Sequence, residues 1–206
     1  MLNIKCLMTD LAKSRKVFHS EADFQHALAW HIHQTTSVSQ IRLEFPVLAE
    51  HRNMYVDIYL PVEKIAIELK YVTRSLQLEP NGESFTLRNH GAQNQRRYDF
   101  LQDVQRLELM RSEPKLCEAG YAVLLTNDWL YWDSPKRETM DSAFRVHEGQ
   151  VIKGKRAWHD QASPGMKKGR EKPIQLKGSY RLRWQDYSCF PEKERGKFRY
   201  LAVSVN

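Results

Sequence analysis

Apolar and polar positions alternate over Met54–Leu60 and again over Ile65–Tyr71, with Pro61-Val62-Glu63-Lys64 between them. Two β-branched, period-two runs around a short polar link predict a β-hairpin. If the four link residues form the loop, Leu60 faces Ile65, Asp57 faces Glu68 and Tyr55 faces Lys70. Val56, Ile58, Leu60, Ile65, Ile67 and Leu69 then make an aliphatic face, and Asp57, Glu68 and Lys70 gather on the other. Upstream, Ser20 reads as a helix N-cap with Asp23 as a capping-box variant. The helix runs to about His33 on a Phe24, Leu28, Ile32 stripe, with Ala27 alongside. A weaker helical pattern covers Met8–Val17. Ile41–Leu48 reads as a strand edged at Pro46, with Arg42 and Glu44 on its polar side, and His51-Arg52-Asn53 as the turn into the hairpin.

Downstream, Leu76–Arg88 carries a second hairpin signal with Asn81-Gly82 at its turn. The longest helical pattern spans Asn89 to about Arg111, with Phe100, Leu101, Val104, Leu107 and Met110 inward. Its remaining face is polar, and Arg106 pairs there with Asp103 or Gln102. Ser112-Glu113-Pro114 reads as the start of a short helix ending at Gly120. Tyr121–Thr126 is apolar nearly throughout, as a central or parallel strand is. Trp129, Tyr131 and Trp132 read as an aromatic cap on the core. Lys153–Lys172 is rich in Lys, Arg, Gly and Pro and reads as a flexible basic loop. Strands return at Tyr180–Trp184 and Lys197–Val205, where Arg181, Arg183 and Arg199 give a basic face.

Two opposed carboxylates destabilise a ladder unless something compensates them. A divalent cation does so: Mg2+ takes oxygen ligands, typically one or two carboxylates with water and a substrate phosphate. Lys70 on the same face then suits charge developing on phosphorus. Glu21 has two readings: a first-turn acid favoured by the helix dipole, or a third carboxylate aimed at the hairpin's polar face. His31 and His33, two apart on a helix, do not face each other and make a poor metal pair.

The 206 residues carry a net charge of +7. Residues 145–206 hold 15 Lys+Arg against 6 Asp+Glu, and the first 144 hold 17 against 19. The basic charge is thus C-terminal, which points to a polyanionic partner, most simply nucleic acid. The candidate contacts are Arg96 and Arg97 at the long helix, and Lys153, Lys155, Arg156, Lys167, Lys168 and Arg170 in the basic loop. No run approaches a membrane span. Three widely spaced cysteines (Cys6, Cys117, Cys189) suggest neither a disulfide framework nor a zinc site, and with no signal-peptide pattern a cytoplasmic setting is expected.

The order helix with Glu21, strand, strand with Asp57, strand with Glu68-Leu69-Lys70, helix, apolar strand resembles the PD-(D/E)XK nuclease superfamily, also called restriction-endonuclease-like. The likeness covers about residues 20–130. It rests on an Asp, a gap of ten residues, and Glu-x-Lys on the next strand. Val56 stands where the motif often has Pro, and Asn94 and Tyr98 hold the spacing of a Gln-x-x-x-Tyr signature without its Gln. The resemblance implies an α/β fold: an αβββαβ core (residues 20–144) with a mixed central sheet flanked by helices. An N-terminal arm or helix (1–19) precedes it and a basic β-rich extension (145–206) follows. It also implies a metal-dependent endonuclease acting on DNA, of restriction, repair or mobile-element type. Asp57, Glu68 and the Leu69 carbonyl would hold Mg2+ or Mn2+, Lys70 would position the attacking water, and Glu21 would help bind a second metal or its water. Cutting both strands favours a homodimer or a two-domain partner. A catalytically inactive nucleic-acid-binding module on the same scaffold, and a protein whose basic tail meets an acidic partner, are the alternatives.

Overall fold

The computed structural model of the protein describes residues 2–49, 52–112 and 116–206. Helix α1 (Ile4–Ser14) is capped by Asn3, whose side chain accepts the Cys6 N–H. It ends earlier than the pattern over Met8–Val17 predicts, because Val17 and Phe18 leave the helix to be buried in the core. Helix α2 (Glu21–Thr35) starts where Ser20 predicts, the Ser20 hydroxyl accepting the Asp23 N–H. The Asp23 carboxylate does not reach back to Ser20. It takes the His19 N–H, and both its oxygens accept from the single Nη2 of Arg15, tying α1 to α2.

Strands β1 (Arg42–Ala49), β2 (Arg52–Leu60) and β3 (Ile65–Val72) form an antiparallel meander. Arg52 and Asn53 belong to β2, and the rest of the expected turn, His51, lies outside the described residues. The second hairpin is β4 (Leu76–Leu78) and β5 (Phe85–Leu87), turning through Asn81 and Gly82, both at positive φ. Such backbone suits Asn and Gly. Helix α3 (Gln93–Ser112) buries Phe100, Leu101, Val104, Leu107 and Met110. Burial of each side chain contributes about 1.5–3 kcal/mol.

Strand β6 (Ala119–Thr126) follows, fully buried and parallel to β3. Gly120 lies in β6 rather than ending a short helix, while Glu113 and Pro114 lie outside the described residues. A Cβ on Gly120 would sit 3.0 Å from that of Leu107, so glycine lets α3 lie close to the sheet.

The C-terminal residues depart most from expectation. Of the basic stretch expected as a loop over Lys153–Lys172, residues 153–156 lie in a strand and Pro164–Lys167 in a short helix, and the remainder connects them irregularly. Strand β7 (Val151–Arg156) pairs with β8 (Ile174–Arg181), with the four-residue helix α4 (Pro164–Lys167) between them. Ile152, Ile174 and Leu176 bury against the α3 side of the sheet. Glu108 of α3 accepts the Lys177 and Gly178 N–H groups and the Tyr180 hydroxyl. Strands β9 (Trp184–Cys189) and β10 (Lys197–Val205) then enter the central sheet, whose order is β1-β2-β3-β6-β10-β9.

The result is a mixed α/β fold. α1 and α2 cover one face of the six-stranded sheet, and α3 with the β7–β8 pair covers the other. No helix of the described residues is long and apolar enough to cross a membrane. Of the expected aromatic cap, Tyr131 is buried and Trp132 meets Trp184 edge-on, while Trp129 is largely exposed.

Candidate active site

The β2–β3 register follows the sequence expectation for three pairs: Leu60 with Ile65, Tyr59 with Ala66 and Ile58 with Ile67. There the ladder ends, one pair short of Asp57 and Glu68. The Asp57 carboxylate takes the Leu69 N–H at 2.5 Å instead of leaving it to a strand partner. The expected faces change at the same point. Glu44, beside Asp57 on β1, has φ 47°, a left-handed backbone unusual for Glu. Leu43 therefore packs with the α1–α2 layer and Phe45 with the α3 layer, so Arg42 and Glu44 do not form a simple polar face. Val56 likewise joins the α3 side and leaves the aliphatic face expected for it. Gln25, buried on α2, fixes this kink by donating to the Glu44 carboxylate at 2.8 Å and to the Asp57 carbonyl at 2.6 Å.

Glu68 and Lys70 point to the α3 side, where Asp103 and Arg106 meet them. The Lys70 Nζ lies 3.0 Å from Asp103 Oδ2 and donates to the Leu69 carbonyl at 3.1 Å. The Arg106 guanidinium lies 3.0 Å from Glu68 Oε1 and 3.3 Å from Asp103 Oδ1. It also donates to the Tyr55 carbonyl, freed by the end of the ladder. From α2, Glu21 Oε2 accepts the Tyr71 N–H at 2.7 Å. Glu21 thus lies at the Lys70 end of β3 and reaches it from the α2 side, while Glu68 and Lys70 point to the α3 side.

Four carboxyl groups (Glu21, Asp57, Glu68, Asp103) and two cations (Lys70, Arg106) share this space. Burial raises the pKa of all four acids. At Glu68, which is 2% exposed, the Asp103 charge pushes in the same direction as burial. The nearby Lys70 charge and the backbone N–H groups only partly offset it at Glu21 and Asp57. For Lys70, burial favours the neutral amine, but Asp103, Glu21 and Asp57 outweigh it and hold the pKa above the ordinary lysine value. The surrounding carboxylates therefore favour the charged form of Lys70.

Asp103 and Gln25 are the site residues that sequence reasoning missed. Both carried a signal: each is a polar residue on an apolar helical stripe, Asp103 three after Phe100 and Gln25 three before Leu28.

The candidate nucleic-acid contacts separate. Arg97 does not face outward. It is 3% exposed, pairs with Asp141 at 2.7 Å, donates to the Leu130 carbonyl and lies over the Tyr131 ring. Arg170 forms a two-armed pair with Asp99, and Arg156 donates to the Ala143 and Val151 carbonyls. Lys153 and Lys155 are exposed on β7, Lys168 follows α4, Lys167 is half-buried in it, and Arg96 is exposed.

Beside Glu21 and Lys70 opens a cleft of about 510 Å³, bordered by Ser20 of the α2 cap, Arg88 and His90 after β5, and Arg96. Thr86 of β5 and Arg88 just after it put the β4–β5 hairpin at the edge of this cleft. No protein-family model matches this chain, and neither a curated protein nor a solved structure does.

Proposed function

We propose that the protein is a metal-dependent nuclease of the PD-(D/E)XK kind that hydrolyses phosphodiester bonds of DNA. The observation that carries this reading is the charge balance at the end of β3. With its four acids ionised, the site holds two more negative than positive charges, the deficit that one divalent cation makes good. Glu68 Oε1 is buried without a hydrogen bond despite its neighbour Arg106. The donors suit a hard cation: carboxylates of Asp57 and Glu68 and the carbonyl of Leu69. Among the described residues no three His, Cys, Asp or Glu side chains are arranged to hold a metal. The proposed set uses two carboxylates and a carbonyl, with water and a substrate phosphate completing it.

Mg2+ or Mn2+ bound there supplies Lewis-acid activation of the phosphate and a lowered pKa for bound water. The protein does the rest. Asp57, anchored by the Leu69 N–H and held from behind by Gln25, keeps one donor fixed. Lys70, steered by Asp103, presents a cation to the phosphate and to the attacking water. Glu21, on the opposite side of β3, accepts a hydrogen bond from that water. The αβββαβ order of α2, β1, β2, β3, α3 and β6 supports the superfamily reading. Cutting both strands takes two copies of the site, so a homodimer belongs to the proposal.

A direct test is incubation with supercoiled, linear and single-stranded DNA, with and without Mn2+, beside Glu68→Ala. Nicking or linearisation that needs Mn2+ and Glu68 is expected, and cleavage by Glu68→Ala in clean preparations would sink the reading. One observation favours an inactive binding module instead: Arg106 rests on Glu68, where an ion would bind. The active-site reading treats it as a stand-in counterion. Arg106→Gln is then expected to lower the metal-free melting temperature and to bind Mn2+ more tightly than wild type in calorimetric titration. Weaker or unchanged Mn2+ binding would favour the inactive module.

The raised carboxyl values carry a pH signature. Ordinary values are 3.8 for Asp and 4.5 for Glu, and the folded protein holds these protons more tightly than the unfolded chain. The metal-free fold therefore loses stability as pH rises from the ordinary carboxylate range through the raised values. Binding a cation removes that penalty, so millimolar Mn2+ is expected to raise the melting temperature more at about pH 8 than at about pH 5. A pH-independent shift in differential scanning fluorimetry would contradict the site.

A further inference from the structure

The basic C-terminal residues dominate the charge of the sequence, yet the cleft beside Lys70 is bordered by two arginines from elsewhere. Arg88 follows β5 and Arg96 lies in the first turn of α3; both are exposed and both line the cleft with Lys70 and Glu21. Most other well-placed arginines are spoken for: Arg15, Arg97, Arg106, Arg145, Arg170 and Arg199 each sit in an ion pair. Among the described residues the guanidinium groups of Arg88 and Arg96 have no such acid.

Their backbones are held. The Thr73 hydroxyl donates to the Arg88 carbonyl, the Thr73 N–H donates to His90 Nδ1, and the His90 N–H returns to the Thr73 carbonyl. Burial lowers the His90 pKa, which keeps its ring nitrogen an acceptor for that N–H. Across the cleft, His19 stacks on Phe85 at 4.1 Å and reaches Glu83, pinning the β4–β5 hairpin to the start of α2. Gln95 of α3 donates to the Gly165 and Met166 carbonyls, placing α4 with Lys167 and Lys168 beside the turn that carries Arg96.

We infer that Arg88 and Arg96 form the phosphate clamp that seats a nucleic-acid backbone in this cleft, with Lys167 and Lys168 continuing the track past α3. This inference rests on the nuclease reading and assigns its substrate-binding side. Two guanidinium groups flanking the cation that faces the scissile bond bind phosphate and set the register of the strand without reading its bases. The C-terminal charge then contributes through its α4 portion.

Fluorescence anisotropy with a labelled random-sequence duplex in EDTA tests it, over a range of salt concentrations. The Arg88→Ala/Arg96→Ala protein is expected to bind more than tenfold more weakly. The slope of log K against log salt should flatten by roughly 0.9 for each arginine removed. Lys64→Ala/Arg111→Ala removes two charges at the far end of β3, beside Glu118, and is expected to retain wild-type binding and slope. Wild-type affinity and slope in the Arg88/Arg96 variant, or an equal loss in the Lys64/Arg111 control, would overturn the inference. Failure of the nuclease reading looks different: DNA left intact in Mn2+ while the clamp variant still loses slope.

Discussion

Lys70→Ala is expected to cut DNA about 10²–10³-fold more slowly than wild type in saturating Mn2+, the loss typical when one preorganised charge donor is removed from a transition state. Lys70 has the properties of such a donor. Its Nζ is fixed between Asp103 Oδ2 and the Leu69 carbonyl, and three surrounding carboxylates keep it charged. It is mostly buried, with 19% of its side chain exposed, so its charge acts in a poorly screened site. Anisotropy with the labelled duplex should show DNA binding retained, since most backbone contact is assigned to Arg88 and Arg96. Lys70→Arg is not expected to rescue, because a planar guanidinium cannot take the point-charge position between Asp103 and Leu69. A Lys70→Ala protein with wild-type cleavage would remove Lys70 from the chemistry. Asp103→Asn should reproduce part of the loss with a changed pH profile, as expected of a residue that acts by positioning Lys70.

The second large effect concerns stability. Arg97→Ala is expected to cost about 3–5 kcal/mol in urea unfolding, because it strands a buried partner charge. Arg97 and Asp141 have 4% and 8% of their side chains exposed. Arg97 also holds the Leu130 carbonyl and lies 5.1 Å from the Tyr131 ring centroid, so its loss opens the packing between α3 and residues 129–145. After its removal Asp141 keeps only the Thr139 hydroxyl at 2.6 Å and Arg145 at 3.5 Å. Arg97→Met/Asp141→Leu, which removes both charges, is expected to recover much of the loss. Unchanged stability with weakened DNA binding in Arg97→Ala would instead put Arg97 on the nucleic-acid surface.

These two residues mark what the sequence could and could not reveal. The start of α2, the β2–β3 hairpin, the Asn81-Gly82 turn and the long α3 all carry local signals: a cap, period-two alternation, positive-φ residues and an apolar stripe. The hairpin register read from loop length holds for the three pairs nearest the loop and places Asp57, Glu68 and Lys70 near one another, although the ladder stops before them. Arg97 and Asp103 gave a misleading picture, and Glu108 went unremarked, because α3 reads as one apolar and one polar face. All three lie inward, satisfied by Asp141, Lys70 and the β8 backbone, partners far away in sequence.

The Lys153–Lys172 stretch misled for the opposite reason. Its Gly and Pro content suggests a loop, and much of it is irregular, but its first residues pair with β8 beyond it, where Ile152, Ile174 and Leu176 on either side bury on the α3 face. The entry of β9 and β10 into the central sheet depends on β10 pairing with a strand about 80 residues upstream, which local pattern does not encode. The end of the β2–β3 ladder at Ile58 is likewise unreadable in advance. It follows from Glu44 in left-handed backbone and from Gln25, each meaningful only once α2 and β1 are packed together.

The claim at the centre of this account is that the acids at the end of β3 hold a divalent cation. Calorimetric titration of Mn2+ into the protein without DNA, beside Asp57→Asn and Glu68→Gln, measures it most directly. The account predicts a saturable Mn2+ site in wild type that each substitution abolishes, with circular dichroism unchanged. Mn2+ binding that survives both substitutions, or no binding heat in wild type at any pH where the carboxyl groups are ionised, would contradict it.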